Sequence, residues 1–223
     1  MEAQPKHYLY HMVPEDMKPN EVGQKILYPL NMLKEKFPEL YEVKAEKYNS
    51  RNEDGGANEY RKNIPNMIIP VLEKATWGDV LQLTSIHPKD LKLALEQAGL
   101  KSNGFKFYQI DPDLLDPKNT TIFLYRDDAS DESEENFTEY DSSRLKEYST
   151  VPQKAKDHYA EISNFNKKIL EHNRASVNED DIKSRKRPIL FIGVPHIFHK
   201  GPIDVSNFPV ITTEIDSDPH GSV

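Results

Sequence analysis

Proline divides this chain into short segments. Sixteen of the 223 residues are proline, and several stand where a predicted element begins or ends. Pro14 ends an alternating, strand-like stretch, Pro38 and Pro152 interrupt helical patterns, and Pro88 suits the first turn of a helix. The sequence has neither an internal repeat nor a heptad pattern. We therefore expect many short elements around a common core rather than a solenoid or a long coiled coil.

The chain is long enough to bury a core but is polar for its size. A compact fold of this length buries about seven-tenths of the surface of the extended chain. Only 36% of the residues are hydrophobic and 30% are charged, whereas domains are usually about 45–50% apolar. Part of the chain is therefore expected to lie outside the core. The absence of cysteine excludes disulfides, thiolate metal sites and a thiol nucleophile.

The net charge of −8 comes from one segment. Residues 127–141 contain eight acidic residues and no lysine or arginine, and the rest of the chain has 29 acidic and 29 basic residues. A neutral body with an acidic segment lacks the basic face that binding to duplex nucleic acid requires. We predict an exposed acidic loop over 127–141, for which a docking role and a solvated surface are the alternatives.

The predicted elements mix strands and helices without a regular alternation. Helices are expected around 30–41, with a break at Pro38, over 89–98, ended by Gly99, and over 142–175, split at Pro152. Strands are expected at 7–13, 77–83, 105–110, 120–125 and 189–194, with shorter ones near 197–198, 203–205 and 210–213. About five to seven short strands with three to four helices predict an α+β fold with a mixed or mainly antiparallel sheet.

The domain organisation follows from these segments. We expect one α+β domain over 1–213, with a helical insertion at 142–187 and a flexible tail at 214–223. No apolar run approaches the length of a membrane-spanning helix, and the first residues lack a signal-peptide pattern. We expect no membrane association and a cytoplasmic location, although a protein released into a host cell would show the same features.

Two aromatic clusters are candidate binding residues. Tyr10 and His11 lie in the predicted first strand, where an imidazole beside a tyrosine can bind a ligand hydroxyl and a ring. The alternative is a half-buried histidine that a backbone carbonyl satisfies. Trp77, the only tryptophan, precedes Gly78 and Asp79 and could form a stacking floor beside a carboxylate. Alternatively, Trp77 is a core anchor and Asp79 caps a turn.

A third candidate is the pair His196 and His199. In a helix, residues three apart share a face, but Pro195 and Gly201 bracket this pair and favour a strand or a loop. Asp204 and His87 are the only further ligands that the sequence offers, and zinc needs three or four ligands that converge, so we expect no metal site. One of the two histidines could still line a pocket. The basic cluster at 183–187 is interpreted as a solvated linker.

Four short patterns carry a resemblance to a known family. Leu9–His11 and, further along, Leu27–Leu30 resemble the opening of ADP-ribosyltransferase-like proteins of the DNA ADP-ribosyltransferase and RNA 2′-phosphotransferase type. Phe105–Asp111 and Thr121–Tyr125 look like the middle strands of that family. The more specific part of the resemblance covers the first third of the chain. It implies a first strand whose histidine contacts the nicotinamide ribose of NAD.

The resemblance assigns roles to several residues. His11 would hold the ribose, Tyr28 would stack on nicotinamide, and His196 or a later acid would orient the acceptor, with Tyr10 and Trp77 also in contact with NAD. Met12–Pro14 follow the histidine where the family has small residues and then threonine or serine, and the family's late glutamate has no clear counterpart. An inactive nucleotide-binding relative is therefore an equal alternative to an active transferase.

A different class of function remains open. The chain could be a non-catalytic interaction domain that docks a basic protein partner through the acidic loop and the helical region. The two hypotheses differ in geometry. A nucleotide site requires His11, Tyr28 and Trp77 to converge on one concave pocket, whereas in an interaction domain they would scatter through the core.

Overall fold

The structure is a computed structural model that describes residues 6–15, 17, 19–49, 63–101, 104–126, 128–172 and 188–213. These residues form an α+β fold, as predicted. The strands are β1 Leu9–Met12, β2 Ile26–Leu27, β3 Val80–Leu83, β4 Lys106–Ile110, β5 Thr120–Phe123, β6 Phe137–Glu139, β7 His196–Lys200, β8 Ile203–Asp204 and β9 Val210–Thr212. The helices are α1 Leu30–Lys36, α2 Pro38–Asn49, α3 Pro88–Gln97 and α4 Gln153–His172.

The strands form three antiparallel sheets. Their orders are β1-β4-β9, β2-β8 and β3-β7-β5-β6. A bridge between Tyr10 and Thr84 links β1 to the end of β3. Its two backbone hydrogen bonds measure 2.8 and 3.1 Å. The first and third sheets are therefore joined at their neighbouring edges by one short contact.

Three buried clusters hold the sheets and helices together. The first contains residues from all three sheets, including Leu9, Leu27 and Ile197. The second lies between α3 and α4 around Leu91 and Tyr159. The third contains aromatic residues of β5 and β7. Each large apolar side chain that is fully buried contributes about 1.5–3 kcal/mol relative to an exposed one.

The helix boundaries agree with the positions of proline and glycine in the sequence. Phe37 separates α1 from α2, which begins at Pro38, and Pro88 is the first residue of α3. The Nδ1 atom of His87 accepts a hydrogen bond from the Lys89 backbone and caps α3. Gly99 follows α3 with a φ of +80°, a conformation that glycine adopts without strain.

The predicted strand at 189–194 is wrong. This apolar stretch is a turn, with Ile192 donating a backbone hydrogen bond to Ile189 and Val194 donating one to Phe191. Gly193 has a φ of +62°, which is incompatible with an extended strand. A second prediction needs a smaller correction, because residues 77–79 form a 3-10 turn and the strand begins only at Val80.

The acidic segment is more ordered than a loop. Residues 134–136 form a 3-10 turn and β6 pairs with β5, so the predicted loop is wrong for this part. Asn136 is buried, whereas Glu134, Glu135 and Glu139 are exposed. The backbone of β6 pairs with β5, while the acidic side chains of this segment remain exposed to solvent.

The helical region belongs to the core. Residues 142–148 form a 3-10 helix, and Leu145, Ala155 and Tyr159 are fully buried. Pro152 lies between this 3-10 helix and α4, as predicted. Residues 173–187, with their basic cluster, and the predicted tail at 214–223 lie outside the described residues. Across the described helices, none has the length and apolar character needed to cross a bilayer.

Candidate ligand-binding cavity

A large concave space opens where β1 and β3 separate. Residues of both strands line it, together with most of residues 19–30, parts of α1 and α2, the turn at 189–193 and the first residue of β7. This space, the β1–β3 cavity, has a volume of about 1920 Å³. Pockets for drug-sized molecules usually enclose about 300–1000 Å³. The cavity is therefore large enough for an extended ligand.

Five of the candidate residues from the sequence line this one cavity. They are Tyr10, His11, Tyr28, Trp77 and His196. His199, the other member of the histidine pair, does not line it. Residues that lie almost the whole chain apart in the sequence therefore line one cavity.

A hydrogen bond of the His11 ring shows which of its two nitrogens carries a hydrogen. Its Nδ1 atom lies 2.7 Å from the backbone carbonyl of Met12. A carbonyl oxygen only accepts hydrogen bonds, so Nδ1 carries the hydrogen, and in the neutral ring Nε2 is the acceptor. The backbone contact that the sequence offered as an alternative is thus present, and the ring still lines the cavity.

The two tyrosines occupy different environments. Tyr10 is buried against the edge of the His87 ring, with 5.2 Å between ring centroids, and burial raises its pKa to about 12. Tyr28 is half-buried, with its ring 5.6 Å from that of Phe37 and 5.9 Å from the Lys36 ammonium. Tyr28 thus joins an aromatic and a cationic neighbour at the wall of the cavity.

Trp77 is a core anchor that also lines the cavity. Its ring packs at 4.8 Å from Phe198 and 5.2 Å from Phe123. The indole Nε1–H is buried and has no hydrogen-bond partner among the described residues. A buried donor without a partner costs about 1–3 kcal/mol, and most native donors avoid that cost.

Asp79 caps the turn that carries Trp77. Its carboxylate accepts hydrogen bonds from the Thr76 backbone and hydroxyl and from the Asn31 amide, at 2.8–2.9 Å. Burial on its own raises the pKa of Asp79. The hydrogen bonds from Asn31 and Thr76, together with the charge of Lys200, outweigh burial, so the pKa is lower than its ordinary value. The capping role offered as an alternative is confirmed.

His196 and His199 project from β7 in different directions. They lie three apart on a strand, so their side chains point to opposite faces. The Nδ1 atom of His199 lies 2.9 Å from the Thr120 hydroxyl. Within the described ranges, no group of three or more metal-binding side chains occurs.

One end of the cavity holds a second aromatic cluster. The His196 ring stacks on Phe198 at 5.9 Å and meets Tyr125 at 6.0 Å. The Lys154 ammonium lies 5.6 Å from the centre of the Tyr125 ring. Burial lowers the pKa of His196 to about 4, and burial followed by the charge of Asp131 raises that of Tyr125 to about 12. Both side chains are therefore neutral near pH 7.

The charged groups around the cavity balance. Four basic and four acidic residues line it, namely Lys36, Lys44, Arg126, Lys154, Glu15, Glu21, Glu39 and Asp131. The Arg126 guanidinium already lies 3.2 Å from the carboxylate of Asp128. Aromatic rings and neutral hydrogen-bonding groups, rather than a net positive field, therefore distinguish this wall.

The sequence did not single out several residues of the wall. Gln82 and Thr84 of the β3 region and Tyr125, two residues after β5, line the cavity. Tyr125 ended a predicted strand and one of the patterns of the resemblance, but it was not itself a candidate binding residue. Its position beside His196 depends on the pairing of β5 with β7, for which the sequence holds no local signal.

A comparison with known protein families finds no matching family model, and neither a curated protein nor a solved structure matches the chain. The function is therefore inferred from the residues of the cavity.

Proposed function

We propose that the β1–β3 cavity binds NAD or a related nucleotide, and that the protein is an ADP-ribosyltransferase-like enzyme. The observation that carries the proposal is that His11, Tyr28, Trp77 and His196 all line one cavity. An extended dinucleotide needs a long cavity, an aromatic surface for its rings and neutral hydrogen-bonding groups for its sugars. The cavity offers all three.

Tyr28 and His11 take the two contacts closest to the reacting ribose. A base or nicotinamide ring stacks on Tyr28, whose ring also packs against Phe37 in a tilted arrangement. When the His11 ring is neutral, its Nε2 atom can accept a hydrogen bond from a ribose hydroxyl while Nδ1 donates to the Met12 carbonyl. Trp77 supports this wall from the core.

The reaction relies on positioning. In ADP-ribose transfer the bond between C1′ of the ribose and the nicotinamide nitrogen breaks, and nicotinamide leaves with the electron pair. An acceptor oxygen or nitrogen then bonds to C1′ and gives its proton to a base. His196 is too weak a base to keep that proton, since its pKa is about 4. It orients the acceptor, and the proton is released to bulk solvent.

The first test is thermal unfolding with and without millimolar NAD. Ligand at about 100 times its Kd stabilises the native state by roughly 2.7 kcal/mol, which raises Tm by a few degrees. Calorimetry then gives the affinity, and released nicotinamide reports transfer or hydrolysis. No shift and no heat of binding at millimolar NAD would contradict the proposal.

Two pairs of variants locate the ligand. His11→Ala is expected to abolish NAD binding, while His7→Ala, four residues earlier and outside the cavity, leaves binding unchanged. Tyr28→Leu is expected to weaken binding about tenfold or more by removing the ring, and Tyr28→Phe keeps it. Equal affinity of His11→Ala and the unmodified protein would exclude the assigned pose.

If the protein is an interaction domain, its docking surface is smaller than the sequence indicated. The helical region is part of the core, which leaves the exposed carboxylates of 128–141 as the docking face. Replacing Glu134, Glu135 and Glu139 with glutamine separates the two hypotheses. The change is expected to leave NAD binding intact, whereas an interaction domain would lose its salt-dependent capture of a basic partner.

A further inference from the structure

Two neighbouring side chains of α4 fasten the turn at 189–193. The Nε2 atom of His158 accepts a hydrogen bond from the Ile189 amide at 3.1 Å, and the Tyr159 hydroxyl donates one to the Leu190 carbonyl. All five residues of the turn line the β1–β3 cavity, whereas His158 and Tyr159 do not. The two side chains therefore hold a piece of the cavity wall from outside the cavity.

The two ends of the turn differ in burial. Residues 190–192 pack against the second buried cluster, in which Tyr159 is fully buried. Ile189, at the start of the turn, is 51% exposed, and its hydrogen bond to His158 lies at the surface. The His158 end can therefore detach while the rest of the turn stays packed.

We infer that His158 is a pH-dependent latch on the wall of the β1–β3 cavity: the neutral ring holds Ile189 against α4, and the protonated ring releases it. The inference rests on the proposed function only in that it takes this cavity to be a ligand site. It adds a means of opening the cavity wall in acid, through a residue that touches no ligand.

The latch follows from the hydrogen-bonding capacity of an imidazole. A backbone amide only donates, so the contact with Ile189 needs a lone pair on Nε2, and the neutral ring then carries its hydrogen on Nδ1. A protonated ring carries a hydrogen on both nitrogens and has no acceptor. Protonation of His158 therefore replaces a hydrogen bond with two donors that face each other.

The surroundings of His158 decide the pH at which its ring is protonated. Burial lowers its pKa below the ordinary 6.5, and the charge of Glu161, one turn further along α4, opposes this shift without cancelling it. Residues 188–193 have no titratable side chain. Lys154, one turn earlier on α4, holds its ammonium 5.6 Å from the centre of the Tyr125 ring. α3 packs against the same helix, and its charged residues are Lys89, Asp90, Lys92 and Glu96.

The direction of the switch follows from the lowered pKa. When Ile189 detaches, the His158 ring becomes more exposed and its pKa returns toward the ordinary value. Between the two pKa values the detached form binds a proton that the attached form does not. Acid therefore favours detachment, and neutral pH favours the closed latch.

NMR on the full chain tests the latch directly. The ¹⁵N shifts of the His158 ring are expected to show the Nδ1–H tautomer above its pKa. Hydrogen exchange of the Ile189 amide, corrected for the intrinsic effect of pH, is expected to become about three- to tenfold faster between pH 7.5 and pH 5, because one hydrogen bond is lost. A neutral ring with its hydrogen on Nε2, or a corrected exchange rate that does not change, would overturn the inference.

Three variants show whether His158 is the group that titrates. His158→Gln keeps an acceptor that takes up no proton in this range, so Ile189 is expected to stay protected at both pH values. His158→Ala removes the acceptor, and fast exchange is expected at both. His87→Gln is the matched control, because His87 is another histidine with a lowered pKa and caps α3 instead. A pH dependence at Ile189 that persists in His158→Gln would assign the switch to another group and contradict the inference.

A second arm connects the latch to the cavity and separates it from the proposed function. His11 and His196 line the cavity and titrate in both proteins, so NAD dissociation is compared between the unmodified chain and His158→Gln. Acid is expected to accelerate dissociation more in the unmodified chain, and an equal acceleration would refute control of the cavity by the latch. A latch that opens in a protein that does not bind NAD would refute the nucleotide proposal alone. NAD binding with pH-independent protection of Ile189 would refute the latch alone.

Discussion

Tyr10 and Thr84 are joined by two backbone hydrogen bonds, and beyond them β1 and β3 separate. The amide of Tyr10 donates to Thr84 at 2.8 Å, and the amide of Thr84 donates to Tyr10 at 3.1 Å. Residues on both strands past this bridge line the cavity. This pair therefore sets where the sheet edges meet and where the cavity begins.

Replacing Thr84 with proline should weaken both the fold and the cavity. The change removes the donor to the Tyr10 carbonyl and leaves a buried acceptor without its partner, at a cost of about 1–3 kcal/mol. We expect a lower Tm and a weaker response to NAD. Thr84→Ser is the control, because it keeps the backbone donor and the hydroxyl that accepts from Ile86. Equal Tm values for the two variants would contradict the role of the bridge.

Gly78 makes room for Asn31. A Cβ at this glycine would lie 2.7 Å from the Asn31 Oδ1 atom and 2.8 Å from its Cγ atom. Gly78→Ala should therefore displace the Asn31 amide from Asp79 and Thr76 and lower the free energy of unfolding by about 1–3 kcal/mol.

A double-mutant cycle checks this cause. In an Asn31→Ala background the space beside Gly78 is open, so Gly78→Ala should cost much less than it does alone. Chemical denaturation of the four proteins measures the difference. Additive effects would show that the glycine serves some other purpose.

Tyr159 ties the turn at 189–193 to α4. Its hydroxyl donates a short hydrogen bond to the Leu190 carbonyl, and residues of this turn line the cavity. Tyr159→Phe should lower stability by about 1 kcal/mol and also weaken ligand binding.

Tyr140→Phe is a matched control for this change. The Tyr140 hydroxyl donates to the Pro112 carbonyl at 2.8 Å, and neither residue lines the cavity. We expect a similar loss of stability with unchanged binding. If both variants bind NAD as the unmodified protein does, the turn does not control the site.

Acid should destabilise the protein through His196. Burial lowers its folded-state pKa to about 4, against an ordinary value of 6.5. Between these values the unfolded chain binds a proton that the folded protein does not, so stability rises with pH over this interval and falls on acidification. The contribution of His196 to the free energy of unfolding differs by about 3 kcal/mol between pH values below and above this interval.

His196→Phe isolates that contribution. The remaining histidines with burial-lowered pKa values, His87, His158 and His199, act in the same direction and keep part of the slope. Denaturation at pH 4 and pH 7.5 should show a smaller difference for the variant than for the unmodified protein. An unchanged difference would mean that His196 is readily protonated in the folded state.

Local chemistry made much of the secondary structure predictable. Pro38, Pro88 and Gly99 act through their own backbone restrictions, so helix breaks and ends could be read directly. The turn at 189–193 could not, since its apolar residues suit a strand and only the φ of Gly193 decides otherwise. In the acidic segment, pairing with β5 overrides a composition that is typical of a loop.

The candidate site was predictable as a set of residues and not as a shape. His11 and His196 stood out by residue type, but their meeting at one cavity depends on long-range pairing of strands. Tyr125 had no signal of its own, because its environment is supplied by β7 and α4. Whether these residues bind NAD remains a prediction that the experiments above decide.

The strand order β3-β7-β5-β6 has a consequence during protein synthesis. The strand between β3 and β5 is β7, which the ribosome makes more than seventy residues after β5. Until it emerges, both neighbours present unpaired edges, which are sites of non-native association. The nascent chain therefore cannot complete this sheet, or the cavity wall that His196 provides, until β7 has been made. Truncated products that lack β7 are expected to aggregate and to be degraded rather than to persist as partly active fragments.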